Sequence, residues 1–319
     1  MMPIIILVKD LESYNDYKIL VTGGSGQVGS ELRALNKREG FNFFFPSSNE
    51  FNLLDFSSIE RYLNSNNFNL IINLAAYTNV ENSESYKNKA NLINNLAVKK
   101  ISQEANQRSI GLIHLSTDYV FGESSDSPFD PYDKKTPINY YGYTKSLGED
   151  SALDEYNKSI IIRFSSVFSE YGNNFIKKIL KKLITESSVK VVCDQKISLT
   201  YAGDFSKNIF SIINFYNKSN FNKRIFHFVS NGYTDWFSVA KIVYDEVNSI
   251  KKDFLTSKLI PISSKEWRSE ALRSNDSRLM VDNSFLNENN IILSSWERSV
   301  RSVVNKIYPD IVNEVKNGN

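Results

Sequence analysis

The stretch Lys18-Ile19-Leu20-Val21-Thr22-Gly23-Gly24-Ser25-Gly26-Gln27-Val28-Gly29-Ser30-Glu31-Leu32-Arg33-Ala34-Leu35 decides the fold. It opens on a β-branched and aliphatic run, breaks into glycines, and from Val28 spaces its apolar residues as a helix does. Gly23, Gly26 and Gly29 stand at intervals of three across the break. A side chain at the first would block the tight turn, at the second would hold a pyrophosphate off the backbone, and at the third would keep helix from strand. The N–H groups and partial positive charge of the helix N-terminus complete an anion site. The stretch therefore reads as a dinucleotide-binding turn, with Gly23, Ser25, Gly26, Gln27, Val28 and Gly29 against the cofactor. The plain alternative is a glycine-rich strand-helix turn without a ligand; position, spacing and flanking periodicity weigh against it.

Outward from this turn the same alternation continues. Strands are expected over residues 41–45, 70–74, 111–116 and 159–164, and helices over 57–64, 91–106 and 141–153, with a loop rich in Ser, Asp and Pro over 122–137. Parallel strands need crossovers, usually helical, so the pattern specifies a doubly wound, parallel α/β sheet of Rossmann type. Beyond Ser165 it loosens into helices over 175–185, 237–247 and 296–307 and strands over 189–192 and 225–229. The expected division is residues 1–17 as an N-terminal extension and 18–165 as the dinucleotide-binding domain. Residues 166–319 are expected to form mostly a smaller substrate lobe, with some elements returning to the sheet.

A chain of 319 residues, 41% of them hydrophobic, can bury one large core or two that meet at a cleft. Lys+Arg 38 against Asp+Glu 36 leaves a formal charge of +2, too weak a field to recruit nucleic acid or an anionic membrane. A small-molecule partner is the better expectation. One cysteine, Cys193, gives no internal disulfide and no thiol metal site, which suits a reducing cytoplasm. The apolar start Ile4-Ile5-Ile6-Leu7-Val8 meets Lys9-Asp10 well short of a signal peptide, and no run approaches the roughly 20 apolar residues of a membrane span.

Dinucleotide folds often carry a carboxylate about 20 residues after the glycines to bind the adenosine 2′-hydroxyl. Here Ser47-Ser48 stand there, so nothing repels a 2′-phosphate, while no arginine is evidently placed to welcome one; NADPH is favoured and NADH stays open. Asp55-Phe56 reads equally as adenine-pocket wall or as an N-cap to the next helix.

Tyr141 and Lys145 lie four apart, one turn along a helix face. A lysine ammonium can lower the pKa of a nearby phenol, and Tyr141 would then protonate a carbonyl oxygen as hydride arrives at carbon. Tyr-x-x-x-Lys alone is common by chance, and a surface pair is its plain reading. Ser116-Thr117-Asp118 changes that, because it ends the fourth strand at its carboxyl end, where doubly wound folds bring ligands, and Thr117 can donate to the same oxygen. A turn-capping hydroxyl is the alternative for Thr117.

With these elements in place the chain resembles the extended short-chain dehydrogenase/reductases, and within them the dTDP-4-dehydrorhamnose reductases, from about Lys18 to the C-terminus. The likeness rests on residues 26–32, 116–121 and 141–145, on Gly172-Asn173-Asn174-Phe175 and Asp194-Gln195, and on residues 231–236 and 277–279. It implies NAD(P)H-dependent reduction of dTDP-4-dehydro-L-rhamnose at C4 to dTDP-L-rhamnose, a polysaccharide precursor. It further implies Thr117, Tyr141 and Lys145 as catalytic, Asn73, Ala75, Ala76, Tyr77 and Asn94 around the cofactor, and Asp118, Asn174 and Arg273 toward the nucleotide-sugar. Some members use Mg²⁺ and form homodimers; Glu31 matches a position linked to both, while as an exposed first-turn glutamate it would serve the helix dipole. Departures gather on the substrate side: Ser166 replaces a tryptophan, Ile197 and Leu199 replace Gly and Pro, and Ser274 replaces a proline. They leave the sugar and the nucleotide base open.

A sugar-nucleotide 4,6-dehydratase would need a glutamate where Tyr119 stands. An epimerase-reductase would move protons with a cysteine and a histidine, yet Cys193 is remote and His114 and His227 sit in apolar strands as core residues. A non-catalytic regulatory subunit is the rival from another class, and the intact Thr117, Tyr141 and Lys145 count against it.

Overall fold

The computed structural model describes residues 16–39, 41–122, 127–252, 254–267 and 269–317. Residues 1–15 of the expected extension, including the apolar start, lie outside the described residues, as do residues 123–126 of the long loop.

The first half alternates as its apolar pattern requires: β1 (Ile19–Thr22), α1 (Gln27–Glu39), β2 (Phe43–Phe44), α2 (Phe56–Asn64), β3 (Leu70–Asn73), α3 (Val80–Ser85), α4 (Lys87–Asn91), α5 (Ala97–Arg108), β4 (Gly111–Thr117), α6 (Tyr140–Glu155) and β5 (Ser159–Phe164). A π-helical segment, Leu92–Leu96, joins α4 to α5, and a short 3₁₀ turn, Asp118–Val120, follows β4. The second half contains β6 (Val167–Phe168), α7 (Phe175–Thr185), β7 (Ser188–Val192), β8 (Lys196–Ile197), β9 (Thr200–Tyr201), α8 (Ala202–Lys207), α9 (Ile209–Lys218) and β10 (Ile225–His227). It ends with α10 (Trp236–Ile250), β11 (Lys258–Ile262), β12 (Asp276–Ser277), α11 (Asn283–Glu288) and α12 (Trp296–Lys316).

Among the described residues, six strands form one parallel sheet in the order β10-β5-β4-β3-β1-β2. The order reverses between β1 and β3, and in such sheets ligands bind outside the carboxyl ends of the strands at that switch. Alternate strand residues serve opposite faces. Val21, Ile72 and Ile113 pack with Val28 and Leu32 of α1, Phe205 of α8 and Ile209 of α9. Leu20, Ile71 and Leu112 pack with Ile59 of α2 and Ala97 and Ile101 of α5. A second core joins α7, α10 and α12 through Leu180, Val243 and Val303. The strand-helix rhythm thus holds through β5, and β10, though late in the chain, returns to the sheet beside it. The expected strand over 41–45 shrinks to an edge pair, Phe43–Phe44, because only Ile19 and Leu20 of β1 reach it.

One buried ion pair ties α6 to β5. Arg163 and Glu149 are 1% and 0% exposed. The guanidinium donates to both carboxylate oxygens, Nε to Oε1 at 2.8 Å and Nη2 to Oε2 at 2.7 Å, and Nη1 donates to Pro131 O at 2.8 Å. Burial alone would raise the Glu149 carboxyl, but Arg163 outweighs it and holds the group below its ordinary value. Removing one partner of such a pair leaves an uncompensated charge in a dry interior. Glu149→Leu is therefore expected to lower the unfolding free energy by about 3–5 kcal/mol, and adding Arg163→Met to recover most of it. Urea unfolding followed by circular dichroism reads both; a double variant no more stable than the single one would count against the pair.

Candidate active site

The glycine turn is built as its sequence demands. Gly23 has φ +68°, and a Cβ on Gly29 would fall 2.5 Å from Gly23 O, so helix and turn meet backbone to backbone. The turn opens on a cleft of about 650 Å³ lined by Thr22, Gly23, Gly24, Ser25, Arg33, Ser47, Ser48, Ala75 and Ala76, with residues 50–54 closing its far wall. A narrow turn at a helix N-terminus, beside a cleft of this size at the sheet's switch point, fits a dinucleotide.

Not every residue expected at the cofactor lies in that wall. Val28 is core. Gln27 turns away from the cleft, donating to Val167 O at 3.1 Å and accepting from Asn174 at 3.0 Å. Asp55 caps α2 through Ser57 N at 3.1 Å and pairs with Arg61, so of its two readings the N-cap is the one seen. Phe56, the first residue of α2, packs beside the core of Leu20 and Ile71. Asn94 is buried in the π-helical segment, where its amide accepts from Tyr77 N at 2.8 Å and donates to Tyr77 O and to Thr144 Oγ1, each at 3.1 Å. It thereby fixes the backbone just after Ala75 and Ala76. Arg33 is the residue the sequence reading missed. Its guanidinium lies 4.6 Å from the Phe45 ring centroid, on the cleft wall with Ser47 and Ser48. The signal was available: Arg33 follows Gly29 by one helical turn and shares its face.

Thr117 and Tyr141 meet where α6 packs on the end of β4, and Lys145 reaches the same strand at Leu115. Asn139 caps α6 by accepting from Gly142 N at 2.8 Å. A Cβ on Gly142 would fall 2.0 Å from Tyr119 O, so only glycine lets α6 approach the end of β4 this closely. The Thr117 hydroxyl hydrogen-bonds Tyr141 and donates to Asp118 Oδ1 at 3.0 Å. Burial pushes the Tyr141 phenol above its ordinary value, against the pull of the Thr117 hydroxyl. This corrects the expectation of a phenol acidified by Lys145, whose amine is engaged elsewhere: it donates to Leu115 O at 2.7 Å and lies 3.2 Å from His114 Nε2. Burial thus keeps the phenol in its protonated form. Burial draws the Lys145 amine down to about 8, with Glu149 opposing.

The second pocket is lined by Asp118, Tyr119, Ser166, Gln195, Ile197, Trp236, Arg273, Ser274 and Ser277 among others. Arg273 pairs with Glu81 at 2.6 Å and hydrogen-bonds Tyr119. Ser269, Ala271 and Arg273 together hold the Glu81 carboxyl down at about 2, despite the opposing effect of burial. Buried Asp118 accepts from Ser165 Oγ at 2.7 Å. Three of the departures noted above, Ser166, Ile197 and Ser274, share this pocket, while Leu199 is core. Asn174, expected on the substrate side, caps α7 by accepting from Lys177 N at 3.1 Å and donates to Gln27.

Glu31 is neither exposed nor in the first turn of α1, which corrects the dipole reading. It faces Glu170, which also accepts from Tyr201 at 3.1 Å and pairs with Lys306. Burial first, and Glu170 second, push the Glu31 carboxyl up to about 8, so the two carboxyls share a proton. Among the described residues no three His, Cys, Asp or Glu side chains gather to hold a metal. Among the same residues no helix is long and apolar enough to cross a membrane.

Residues 17–308 match the family described as RmlD substrate binding domain. The dTDP-4-dehydrorhamnose reductase of Escherichia coli is 33% identical over 91% of this chain and 98% of its own length. That of Sinorhizobium fredii is 32% identical over 90% and 96%. The crystal structure of the Bacillus anthracis dTDP-4-dehydrorhamnose reductase in complex with NADP has a TM-score of 0.82 at 25% identity, covering 91% of this chain and 99% of that one.

A carboxyl raised in the folded state stabilises the fold below its unfolded pKa, and that contribution is lost as pH climbs toward the folded value. For Glu31 the window runs from 4.5 to about 8. Glu31→Gln, which keeps the shape and removes the titration, is expected to raise Tm by a few degrees near about pH 9 and by less near about pH 5. Equal shifts at both pH values in a thermal-melt series would sink this assignment.

Proposed function

The chain belongs to the dTDP-4-dehydrorhamnose reductase family, and on that footing we propose that it reduces the C4 keto group of dTDP-4-dehydro-L-rhamnose with NADPH, giving dTDP-L-rhamnose in the cytoplasm. One observation carries the reading for this chain's own residues. The phenol of Tyr141 is bound to Thr117 at the end of β4, the buried amine of Lys145 one turn along α6 reaches the same strand at Leu115 O, and Asp118 and Tyr119, next after Thr117, line the polar pocket.

NADPH, when bound, supplies a hydride to the keto carbon. The glycine turn takes its pyrophosphate, and Ala75 and Ala76 line the path between turn and trio. Arg33, with Ser47 and Ser48, offers the 2′-phosphate a guanidinium and two hydroxyls. Tyr141 gives its phenolic proton to the oxygen that gains charge, and Thr117 steadies that phenol. Lys145 donates hydrogen bonds to the nicotinamide ribose. Arg273 and Gln195 offer the nucleotide-sugar polar contacts from the far side. No metal enters this reading.

Ser166, Ile197 and Ser274 in one pocket support a second reading, a different nucleotide-linked 4-keto-deoxysugar. Purified protein with NADPH and dTDP-4-dehydro-L-rhamnose is expected to consume NADPH, and Tyr141→Phe to lower kcat by roughly 10²–10⁴-fold. A Tyr141→Phe enzyme that keeps its rate removes the mechanism; turnover of another keto-sugar alone moves the substrate to the second reading. Arg33→Ala is expected to weaken NADPH binding roughly tenfold or more, as for a lost charged hydrogen bond, and to leave NADH nearly unchanged. Equal losses for both cofactors in fluorescence titrations would remove Arg33 from the 2′-phosphate.

A further inference from the structure

His114 belongs, by its apolar strand, to the core, and it is fully buried. Its neighbours are not those of a core residue. In the parallel register Thr22 of β1 stands beside Asn73 of β3, and Asn73 beside His114 of β4. Side chains at paired positions point to one face, here the face on which α6 brings in Lys145. The result is an unbroken polar row: Thr22 Oγ1 to Asn73 Oδ1 at 2.6 Å, Asn73 Nδ2 to His114 Nδ1 at 2.9 Å, and His114 Nε2 to Lys145 Nζ at 3.2 Å.

The Thr22 hydroxyl accepts from Ala75 N at 3.2 Å and donates to Asn73 Oδ1. The Asn73 amide and the Lys145 amine then meet the two ring nitrogens of His114, one at each, and hold the ring from both sides. Burial first, and the Lys145 charge second, hold the imidazole neutral, far below its ordinary pKa. The ring therefore has one orientation. It meets a long, flexible amine whose other contact is the carbonyl of Leu115.

We propose that His114 is the positioning residue of the site, a rigid imidazole locked by Asn73 and Thr22 that holds the Lys145 amine in register with the cofactor. A four-carbon stem has several rotamers, and burying its head without a fixed partner would scatter the amine over them. Two fixed partners on β4, the imidazole and the Leu115 carbonyl, select one. Because Thr22 directly precedes Gly23, the row also ties that selection to the strand end that carries the phosphate turn. The inference rests on the reduction proposed above for what Lys145 does, but the placement of the amine can be tested without it.

Glutamine reproduces the Nε2 side of a histidine and asparagine only its Nδ1 side, and this separates positioning from filling. His114→Leu and His114→Asn are expected to lose on the order of 100-fold in kcat, the scale of about 1 Å of misplacement, with KM for the keto-sugar changed less than threefold. His114→Gln is expected to stay within about tenfold of the parent. In crystals of the variants grown with NADPH, Lys145 Nζ should leave Leu115 O in His114→Leu and stay in His114→Gln. An undisplaced amine in His114→Leu, or losses of the same size in the Gln and Asn variants, would overturn the proposal. A parent enzyme that reduces no keto-sugar would instead overturn the functional reading, and the crystallographic comparison would still decide the role of His114.

Discussion

Everything in the site follows from keeping one amine out of water. Lys145 is 1% exposed, and an unpaired ammonium at that depth would simply shed its proton. The fold surrounds it instead. Leu115 O and His114 take the amine itself, and Glu149, one turn further along α6, supplies the nearest negative field. Glu149 is as buried as the lysine and stays ionised chiefly because Arg163 on β5 meets it through two hydrogen bonds, with Lys135 adding a second positive charge. Each charge is thus admitted to the interior by the one behind it. Loss of the outermost pair would be felt at the innermost amine.

The parallel sheet makes this nesting geometrically cheap. Leu20, Ile71 and Leu112 are apolar and form an ordinary core with α2 and α5. Two residues further on, the same face carries Thr22, Asn73 and His114. The change from apolar to polar happens in a single step across three strands, at the ends of β1 and β3 and midway along the longer β4. A row at equal register needs no loops to assemble it. Strand pairing alone brings hydroxyl, amide and imidazole into contact, and the π-helical segment with Asn94 then sets the adjoining loop against α6.

The parts of this that were legible in the sequence are the parts with local causes. Glycine spacing, β-branched runs and helical periodicity gave the turn, the sheet and the Tyr141–Lys145 helix, since each depends on residues within a turn or a strand of one another. Boundaries drifted where tertiary contacts decided: α12 runs on through Pro309, which sequence reading takes as a stop. Asp55, read equally as adenine-pocket wall and as N-cap, caps α2, and Asn174, which the resemblance puts toward the nucleotide-sugar, caps α7, a role set by the first free N–H groups of the next helix. Glu31 was misread as exposed because nothing near it in sequence reveals that Glu170, far along the chain, closes over it. His114 was read as core for the same reason: periodicity shows that a residue is buried, never what it touches.

Selectivity and chemistry are anchored in different material. Thr117, Tyr141 and Lys145 sit on β4 and α6, whose positions the sheet and a glycine contact leave no freedom to change. The pocket beyond them is made by short loops: Ser166, which holds a left-handed φ of +44° at some cost for a side chain, Gln195 and Ile197, and the strip from Arg273 to Ser277. Arg273 is held at the pocket by Glu81 of α3 and by Tyr119, and Asn139 pins the same strip through Leu272 O at 2.8 Å. The strip is nonetheless tied to the proposed proton donor, because Ser277 and Thr117 both bond Asp118 and Arg273 bonds Tyr119, whose ring meets Tyr141 edge-on. The departures from the family gather in this pocket, while Thr117, Tyr141 and Lys145 on β4 and α6 match it.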